Sequence, residues 1–440
     1  MSFLSEIANE KTSILSARRH SLVIADNSYN VNSFFAGIGG FDLGFEKAGF
    51  SNSFLCENND FCNRVLASHW PDVPKAGDIN EVAPSDIPDA PVWCGGFPCQ
   101  DISVARGSMS RLGLNGSRSG LFYRFAELIG EKKPQVVLIE NVAGLFNSNN
   151  GHDFGVILDT LNQLGYGVSW RLLNSRYFGV PQSRPRVYLC CWRGNPLKAL
   201  ASLFETSTPS KASKERTSFI TESTPKGKYP RVATTGYCLA ATSGRHTGTD
   251  WSRTYVTCKD GVRRLTPIEC ERLQGFPDDW TKVEGDTEDA DSHRYAAIGN
   301  AVSVPVINWI ASRIKEQLAS DDSVSFYIAL PEYEPFDKAT WVDLPDMGKE
   351  HGRLTWGKSG LMWNGQYLIA EHRELPCEPI STNLYEIVEK GATKPRYYLT
   401  PNAAEGILRR VDSNNRRLFE PLREGLELLS GRSSKEASVK

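Results

Sequence analysis

The segment Val31-Asn-Ser-Phe-Phe-Ala-Gly37-Ile-Gly39-Gly40-Phe-Asp-Leu-Gly44 determines the fold class, because an apolar run leads through a glycine-rich turn into helical spacing. A strand, a glycine-rich loop and a helix in this order are typical of sheets that bind a nucleotide-like cofactor, since glycines let the backbone approach the ligand. A dinucleotide fingerprint requires a further glycine three positions after Gly39, where Asp42 stands. The segment therefore indicates a nucleotide-like cofactor and disfavours NAD.

Further apolar runs follow this segment, and amphipathic stretches separate them. The runs are Ser53–Cys56, Pro91–Cys94, Val136–Ile139 and Arg186–Cys191, and helical spacing occurs around 119–132 and 153–164. Such alternation predicts an α/β fold, in which a doubly wound, mainly parallel sheet carries helices on both faces.

The composition is that of a folded protein with little overall charge. Of 440 residues, 40% are hydrophobic, and 50 Lys+Arg against 52 Asp+Glu give a net charge of −2. No apolar run approaches the about 18 residues of a membrane helix. The ten cysteines include no CxxC pair of the kind found in zinc sites. We therefore expect a cytoplasmic protein with reduced thiols, no membrane contact and no metal site.

Positive charge is concentrated in one region. Residues 194–264 contain twelve basic and five acidic side chains, a net charge of +7, and are rich in Ser, Thr, Pro and Gly. A loop-rich basic region suits contact with phosphate groups. The alternative is an ordinary solvated surface.

A cysteine stands at a position suited to chemistry. Cys99 lies in Gly95-Gly-Phe-Pro98-Cys99-Gln100, just after the apolar run that ends at Cys94. Ligands bind beyond the carboxyl ends of strands in this architecture, and a reactive thiolate must be accessible. The alternative is that Cys99 fills a small apolar space, as we expect of Cys94 within the strand.

A carboxylate and two guanidiniums form a second candidate cluster. Glu140 ends the run 136–139, where burial beside a cleft raises a carboxyl pKa and lets the group donate a proton at neutral pH. Arg184 and Arg186 stand two residues apart and suit the orientation of a carboxylate or a polar base edge. Surface ion pairing is the alternative for both features.

Taken together, six ordered motifs resemble the cytosine-5 DNA methyltransferases of prokaryotic or phage type over about residues 31–318. The motifs are Phe-x-Gly-x-Gly-Gly at 35–40, Pro-Cys-Gln at 98–100, Glu-Asn-Val at 140–142, Gln-x-Arg-x-Arg at 182–186, Arg-Leu-Thr-Pro-x-Glu at 264–269 with Gly-Phe-Pro at 275–277, and Ile-Gly-Asn-Ala-Val at 298–302. The resemblance implies an S-adenosylmethionine-dependent methyltransferase fold and the methylation of a cytosine flipped out of double-stranded DNA.

The resemblance also implies roles for individual residues. Cys99 would be the nucleophile, Glu140 would hold and protonate the base, and Arg184 and Arg186 would position both. The residues implied for S-adenosyl-L-methionine are Phe35, Gly37, Gly39, Glu57, Asp78, Ile79, Pro98, Leu121 and Asn300. Asn58 departs from the family, because relatives often have a bulky apolar residue there against the adenine.

The resemblance divides the chain into six parts. They are a leader (1–29), a catalytic and cofactor-binding domain (30–193), a target-recognition region (194–262), the remainder of the catalytic domain (263–318), an appended C-terminal domain (325–430) and a disordered tail (431–440). Because the recognition region is short, we expect the appended domain, with Arg409, Arg410, Arg416 and Arg417, to supplement DNA contact. The alternative is that these arginines only solvate a helix.

Expected partners are double-stranded DNA and, in a bacterial or phage-encoded restriction-modification setting, a restriction endonuclease of the same specificity. We expect a monomer, since an asymmetric site around one flipped base needs no two-fold partner. Two alternatives remain open: methylation of tRNA cytosine, and a catalytically silent DNA-binding protein on the same scaffold. The intact set of Cys99, Glu140, Arg184 and Arg186 argues against the silent scaffold.

Overall fold

The computed structural model describes residues 28–98, 120–206, 229–244, 252–283, 291–320, 333, 336, 339–349, 351–370, 373–391 and 393–432. Cys99, the predicted leader up to residue 27 and the predicted tail from residue 433 lie outside these residues. Within them, no helix is long and apolar enough to cross a membrane.

The strands, in chain order, are short and mostly buried. They are β1 (Asn30–Phe34), β2 (Ser51–Cys56), β3 (Lys75–Ala76), β4 (Val92–Gly95), β5 (Val136–Val142), β6 (Tyr166–Asn174), β7 (Pro185–Arg193), β8 (Tyr255–Cys258), β9 (Gly261–Arg264), β10 (Val342–Asp343), β11 (Ser359–Trp363) and β12 (Gln366–Ala370).

The α-helices alternate with the strands in the first half of the chain. They are α1 (Gly40–Lys47), α2 (Asp60–His69), α3 (Leu121–Lys132), α4 (His152–Gln163), α5 (Pro196–Leu203), α6 (Pro267–Gln274), α7 (Asp291–Asn300), α8 (Val304–Ala319), α9 (Leu384–Ile387), α10 (Pro401–Ser413) and α11 (Glu420–Ser430). Thr400 caps α10, because its side chain accepts a hydrogen bond of 3.2 Å from the backbone N–H of Ala403.

Ten of the described strands form one sheet, in the order β10-β12-β11-β6-β7-β5-β4-β1-β2-β3. The pairings of β1 with β2 and β4, of β2 with β3, and of β4 with β5 are parallel. Strand β7 runs antiparallel to both β5 and β6, so β1 to β6 share one direction. The carboxyl ends of β1, β2, β4 and β5 therefore meet at one edge of the sheet.

Helices cover both faces of this sheet, as the doubly wound prediction requires. Alternate residues of β5 face opposite sides: Val137 and Ile139 pack with α3 and α4, whereas Val136 and Leu138 pack with α1, α5 and α8. All four of these side chains are fully buried. Burial on both faces explains why the strand reads as a continuous apolar run.

The C-terminal region supplies three strands to the same sheet. Strand β11 pairs antiparallel with β6, and β12 and β10 follow it outward. These strands cover what would otherwise be an exposed edge of β6, and exposed edges favour aggregation. Strands β10 to β12, which lie within the predicted appended domain (325–430), thus belong to the same sheet as β1 to β7.

Candidate active site

A cavity of about 580 Å³ opens at the sheet edge where the carboxyl ends of β1, β2, β4 and β5 meet. It is lined by the predicted cofactor residues Phe35, Gly37, Glu57, Asp78, Ile79, Pro98, Leu121 and Asn300 and by the predicted catalytic residues Glu140, Arg184 and Arg186. The structure thus brings together residues that are up to 265 positions apart in the chain (from Phe35 to Asn300).

The glycine loop after β1 is fastened to the end of β2 by a carboxylate. Gly37 has a φ of +57°, and its backbone N–H donates a hydrogen bond of 2.7 Å to Glu57 Oε2. Glu57 Oε1 accepts a second bond, of 2.8 Å, from the N–H of Asn59. Each carboxylate oxygen has a second lone pair, so Glu57 keeps capacity to accept hydrogen bonds from a ligand.

Gly39 lies outside the cavity lining, unlike the other predicted cofactor residues. It is the N-cap of α1 with a φ of +81°, and a Cβ atom there would come within 2.3 Å of the indole ring of Trp70. The glycine is required for close packing of the loop on Trp70 and for a left-handed backbone conformation. Its contribution to a cofactor site is therefore indirect.

Asp78 and Ile79 form the wall beyond β3. Asp78 caps a short 3₁₀ turn, because its Oδ1 accepts hydrogen bonds of 2.9 Å from the backbone N–H and 2.8 Å from the side-chain amide of Asn80. Ile79 is buried beside it. This wall therefore offers an apolar surface next to an oriented carboxylate.

Glu140 and Arg186 form an ion pair at the cavity floor. The Nε atom of Arg186 lies 3.0 Å from Oε1 of Glu140, and both side chains are largely buried. Burial raises the pKa of Glu140 above its usual value, and the charges of Arg186 and Arg184 partly oppose this rise. The carboxyl group is therefore suited to give and take a proton while it stays oriented.

Arg184 is bound differently from the prediction. Its guanidinium donates hydrogen bonds of 2.9, 3.2 and 2.7 Å to the backbone carbonyl oxygens of Leu239, Gly299 and Ala301. Leu239 lies in the predicted recognition region, whereas Gly299 and Ala301 lie at the end of α7. Arg184 is thus buried, and its hydrogen bonds hold these segments together. Among the described residues it forms no ion pair with a carboxylate.

The loop that leads to position 99 is held against Glu140. The side-chain amide of Asn141 donates a hydrogen bond of 3.1 Å to the carbonyl oxygen of Phe97. Gly96 lies beside Glu140, because a Cβ atom there would be in ordinary van der Waals contact with Oε2 of Glu140, at 3.5 Å. Cys99 follows Pro98, which lines the cavity, and is itself outside the described residues.

Two other cysteines line the cavity without the properties of a nucleophile. Burial raises the pKa of the Cys56 and Cys62 thiols to about 12, and the neighbouring Glu57 adds to the effect. Both groups therefore remain protonated thiols near neutral pH, and only the thiolate is a good nucleophile. Cys94 is fully buried, as predicted for a core residue, and burial raises its pKa well above the ordinary value of a thiol.

An aromatic pair that was not predicted from the sequence also lines the cavity. Phe61 on α2 and His293 on α7 both line the cavity, and their rings stack with centroids 5.7 Å apart. An aromatic residue four positions after Glu57 was a weak signal for this, but the partner from α7 could not be read from the sequence.

Several basic side chains of residues 194–264 form hydrogen bonds and ion pairs within the protein. Lys198 is buried and donates to the carbonyl oxygen of Ser320, and Arg263 forms a buried bidentate pair with Glu269 at 2.7 and 2.8 Å. Arg231 pairs with Glu424 at 3.0 Å. The net positive charge predicted for residues 194–264 therefore overstates what this region offers to a polyanion.

Comparison with known proteins identifies the family. The model of "C-5 cytosine-specific DNA methylase" matches residues 29–229 and 221–316. Type II methyltransferase M.NgoBI of Neisseria gonorrhoeae is 34% identical over 299 residues, which cover 63% of this chain and 90% of that protein. Type II methyltransferase M.HaeII of Haemophilus aegyptius is 34% identical over 308 residues, covering 66% and 94%. The crystal structure of S. pombe Dnmt2 methyltransferase matches with a TM-score of 0.49 and 18% identity, covering 67% of this chain and all of that one.

Proposed function

The chain belongs to the C-5 cytosine-specific DNA methylase family and is a DNA cytosine-5-methyltransferase, and we propose that it methylates a cytosine flipped out of a specific short sequence in double-stranded DNA. The methyl donor in this proposal is S-adenosyl-L-methionine. The observation that carries it is the cavity that the Glu140–Arg186 pair lines together with the glycine loop, Glu57 and Asp78.

The residues around the cavity fit S-adenosyl-L-methionine. The carboxylates of Glu57 and Asp78 can accept hydrogen bonds from ribose hydroxyls and an adenine amine, and Phe35, Ile79 and Leu121 offer apolar contact. A Cβ atom at Gly37 would meet no described atom within 4 Å, so open space lies beside this residue, where a ligand can approach. When bound, the cofactor supplies an electrophilic methyl group. The chain supplies the remaining chemistry.

Cys99 is the nucleophile in this proposal. Its thiolate adds to carbon 6 of the flipped cytosine, and the electron pair of the 5,6 double bond makes carbon 5 nucleophilic towards the methyl group. Loss of the carbon-5 proton then restores the double bond and releases the thiolate. The bond from Asn141 to Phe97, two positions before Cys99, supports this role because it fixes the approach of the loop to the cavity.

Glu140 and Arg186 hold the base in this proposal. Protonated Glu140 donates to ring nitrogen 3 as the thiolate adds, which offsets the negative charge that develops on the ring. Arg186 fixes the carboxyl group through the 3.0 Å pair. Arg184 contributes indirectly, by fixing the segments that contain Leu239 and Ala301.

Three expectations extend the proposal beyond the site. The relatives M.NgoBI and M.HaeII are named type II methyltransferases. We therefore include a restriction endonuclease of the same specificity as a partner, together with cytoplasmic action as a monomer.

The proposal is tested by incubating the purified protein with unmethylated plasmid DNA and S-adenosyl-L-methionine, then sequencing for 5-methylcytosine at base resolution. We expect methylation in one short sequence context. Cys99→Ser should abolish it and leave binding of S-adenosylhomocysteine within a few-fold. Cys377→Ser is the matched control, because Cys377 is half-buried and does not line the cavity.

Three outcomes would count against the proposal. Strong residual turnover of Cys99→Ser would overturn the assignment of the nucleophile. Methylation of tRNA in preference to plasmid would replace DNA as the substrate. Binding of S-adenosylhomocysteine with no methylation of either nucleic acid would indicate a silent scaffold.

A further inference from the structure

A short segment of the predicted recognition region, residues 236–239, lies along the Gln-x-Arg-x-Arg motif. The N–H of Ser183 donates a hydrogen bond of 3.0 Å to the carbonyl oxygen of Gly236. The N–H of Leu239 donates one of 2.8 Å to the side-chain oxygen of Gln182. These bonds fix the segment beside the two arginines of the motif.

The sulfur atom of Cys238, in this segment, contacts both guanidiniums of the motif. It lies 3.5 Å from Nη1 of Arg184 and 3.7 Å from Nη2 of Arg186, and both nitrogens donate to it. The thiol itself donates to the carbonyl oxygen of Leu239 at 3.4 Å. A thiol sulfur is a weak acceptor, and charged donors strengthen a hydrogen bond. The Cys238 sulfur is therefore oriented as an acceptor for the two arginines.

The guanidinium of Arg186 is held at all three of its nitrogens. Its Nε lies 3.0 Å from Oε1 of Glu140, its Nη1 donates to the carbonyl oxygen of Pro185 at 2.8 Å, and its Nη2 donates to Cys238. Glu140 ends β5 and Pro185 begins β7, whereas Cys238 belongs to the predicted recognition region. A planar guanidinium held at three points keeps one orientation. The recognition region thus supplies one of the three contacts that orient Arg186.

Cys238 acts through the arginines and not on a ligand of the large cavity. Glu140, Arg184 and Arg186 line the cavity of about 580 Å³, and Cys238 is not among its described lining residues. Cys238 lines a different, small cavity of about 30 Å³ within the recognition region. Any effect of this thiol on a base bound beside Glu140 must therefore pass through its contacts with the guanidiniums.

We propose that Cys238 is a positioning residue, through which the predicted recognition region holds Arg186 in the orientation that fixes Glu140. This inference rests on the proposed methylation of a flipped cytosine. Because residues 236–239 are part of the recognition region, a displacement of that region reaches the Glu140–Arg186 pair through this contact. The contact therefore links the seating of the recognition region to the geometry of the groups that hold the base.

The test compares three variants of the full chain. Cys238→Ala removes the acceptor, and Cys238→Ser replaces it with a hydroxyl, which can also accept hydrogen bonds. Cys258→Ala is the matched control, because Cys258 is also half-buried and ends β8 in the same predicted region without lining the large cavity. Single-turnover methyl transfer is measured at saturating S-adenosyl-L-methionine and DNA.

We expect Cys238→Ala to lower this rate about tenfold, because small misplacements of reacting groups are costly. Cys238→Ser should keep the rate within about threefold of wild type, since it retains an acceptor. Cys258→Ala should leave the rate unchanged. Binding of S-adenosylhomocysteine and affinity for DNA should be unchanged in all three variants, which separates lost positioning from lost folding.

A double variant tests whether the effect passes through Arg186. Residues that act through one shared contact show non-additive effects. Cys238→Ala should therefore cause little further loss of rate in a protein that already carries Arg186→Gln. Cys258→Ala in the same background is again the control.

Equal rates of Cys238→Ala and Cys258→Ala would overturn this inference and leave the proposed methylation intact. An equal loss in Cys238→Ala and Cys238→Ser would also overturn it, because the acceptor would then be irrelevant. A full tenfold loss on top of Arg186→Gln would overturn the route through Arg186. A wild-type protein that methylates no nucleic acid would overturn the proposed function together with this inference.

Discussion

The side-chain amide of Asn141, at the end of β5, donates a hydrogen bond of 3.1 Å to the carbonyl oxygen of Phe97, after the end of β4. Asn141 also accepts a bond of 2.8 Å from the N–H of Val142. Glu140 and the residues that lead to Cys99 are therefore fixed relative to each other through a neighbour of each. In the proposed reaction, this bond sets the distance between the proton donor and the nucleophile.

We expect Asn141→Ala to lower the single-turnover rate of methyl transfer by about 10- to 100-fold, because small misplacements of reacting groups are costly. Binding of S-adenosylhomocysteine should change by only a few-fold. Asn162→Ala is the control, since Asn162 donates a comparable bond of 3.2 Å to the carbonyl oxygen of Tyr166 without lining the cavity. A rate equal to that of the control would show that the bond does not position the loop.

The ion pair of Glu140 predicts a specific dependence on pH. Burial raises the pKa of Glu140, and Arg186 lowers it. If protonated Glu140 is the donor, the rate of methyl transfer falls as pH rises through this pKa. Removal of the charge in Arg186→Gln should raise the pKa and move this fall to higher pH.

The measurement is the single-turnover rate between about pH 6 and 9. Glu140→Gln should lower the rate by at least about 100-fold and remove its dependence on this group. Glu127→Gln, in the half-buried Arg124–Glu127 pair on α3, is the control and should leave the profile unchanged, because Glu127 does not line the cavity. A shift of the Arg186→Gln profile to lower pH would contradict the assigned role of Glu140.

The sequence predicted the cofactor side of the site better than the catalytic side. Gly37, Glu57 and Asp78 stand at strand ends, and parallel strands bring such ends together whatever the other side chains are. Arg184 could not be placed in the same way. Its acceptors, Leu239 and Ala301, are 55 and 117 positions away, and no local pattern records such contacts.

The sheet shows the same contrast. Strands that depend on neighbouring residues were predicted, whereas pairings between residues far apart in the chain were missed. The apolar runs predicted the strands β1, β2, β4, β5 and β7 because each reflects burial on both faces. The pairing of β11 with β6 was missed, since Ser359–Trp363 is short and its partner lies almost 190 residues earlier. The role of Gly39 was missed for a related reason: its close neighbour Trp70 lies in a different element.

Trp280 is hydrogen-bonded to the backbone of the glycine loop. Its indole N–H donates a hydrogen bond of 2.8 Å to the carbonyl oxygen of Ile38, and its ring stacks on His69 with centroids 3.5 Å apart. We expect Trp280→Phe, which keeps a ring and loses the donor, to weaken binding of S-adenosylhomocysteine about fivefold. That factor corresponds to about 1 kcal/mol, the usual contribution of one hydrogen bond.

Isothermal titration calorimetry measures this change without turnover. Trp356→Phe is the matched control, because the indole of Trp356 donates a bond of 2.7 Å to the carbonyl oxygen of Gly151 and does not line the cavity. Both variants should lose comparable stability. Similar affinity of the two variants would indicate that the loop does not depend on Trp280.

Asp42 links the stability of the protein to pH. Its side chain is fully buried in α1, where it accepts a hydrogen bond of 3.2 Å from the hydroxyl of Ser33. Burial raises the pKa of Asp42 from 3.8 to about 7. Between these two values the folded state keeps a proton that the unfolded state has lost, so the free energy of unfolding falls as pH rises from about 4 to 7.

Asp42→Asn removes this ionisation and keeps an oxygen that can accept from Ser33. Relative to wild type, the variant should therefore gain stability as pH rises towards 7 and keep the gain above it. The gain has an upper limit of about 4 kcal/mol, because one pKa unit corresponds to about 1.4 kcal/mol. Urea denaturation at pH 5 and pH 8.5 measures the difference.

Asp153→Asn serves as a contrast, since Asp153 is buried and accepts bonds of 2.6 and 2.9 Å from Ser148 and Asn149. That variant should be destabilised at both pH values. A constant difference between Asp42→Asn and wild type would show that Asp42 ionises equally in the folded and unfolded states.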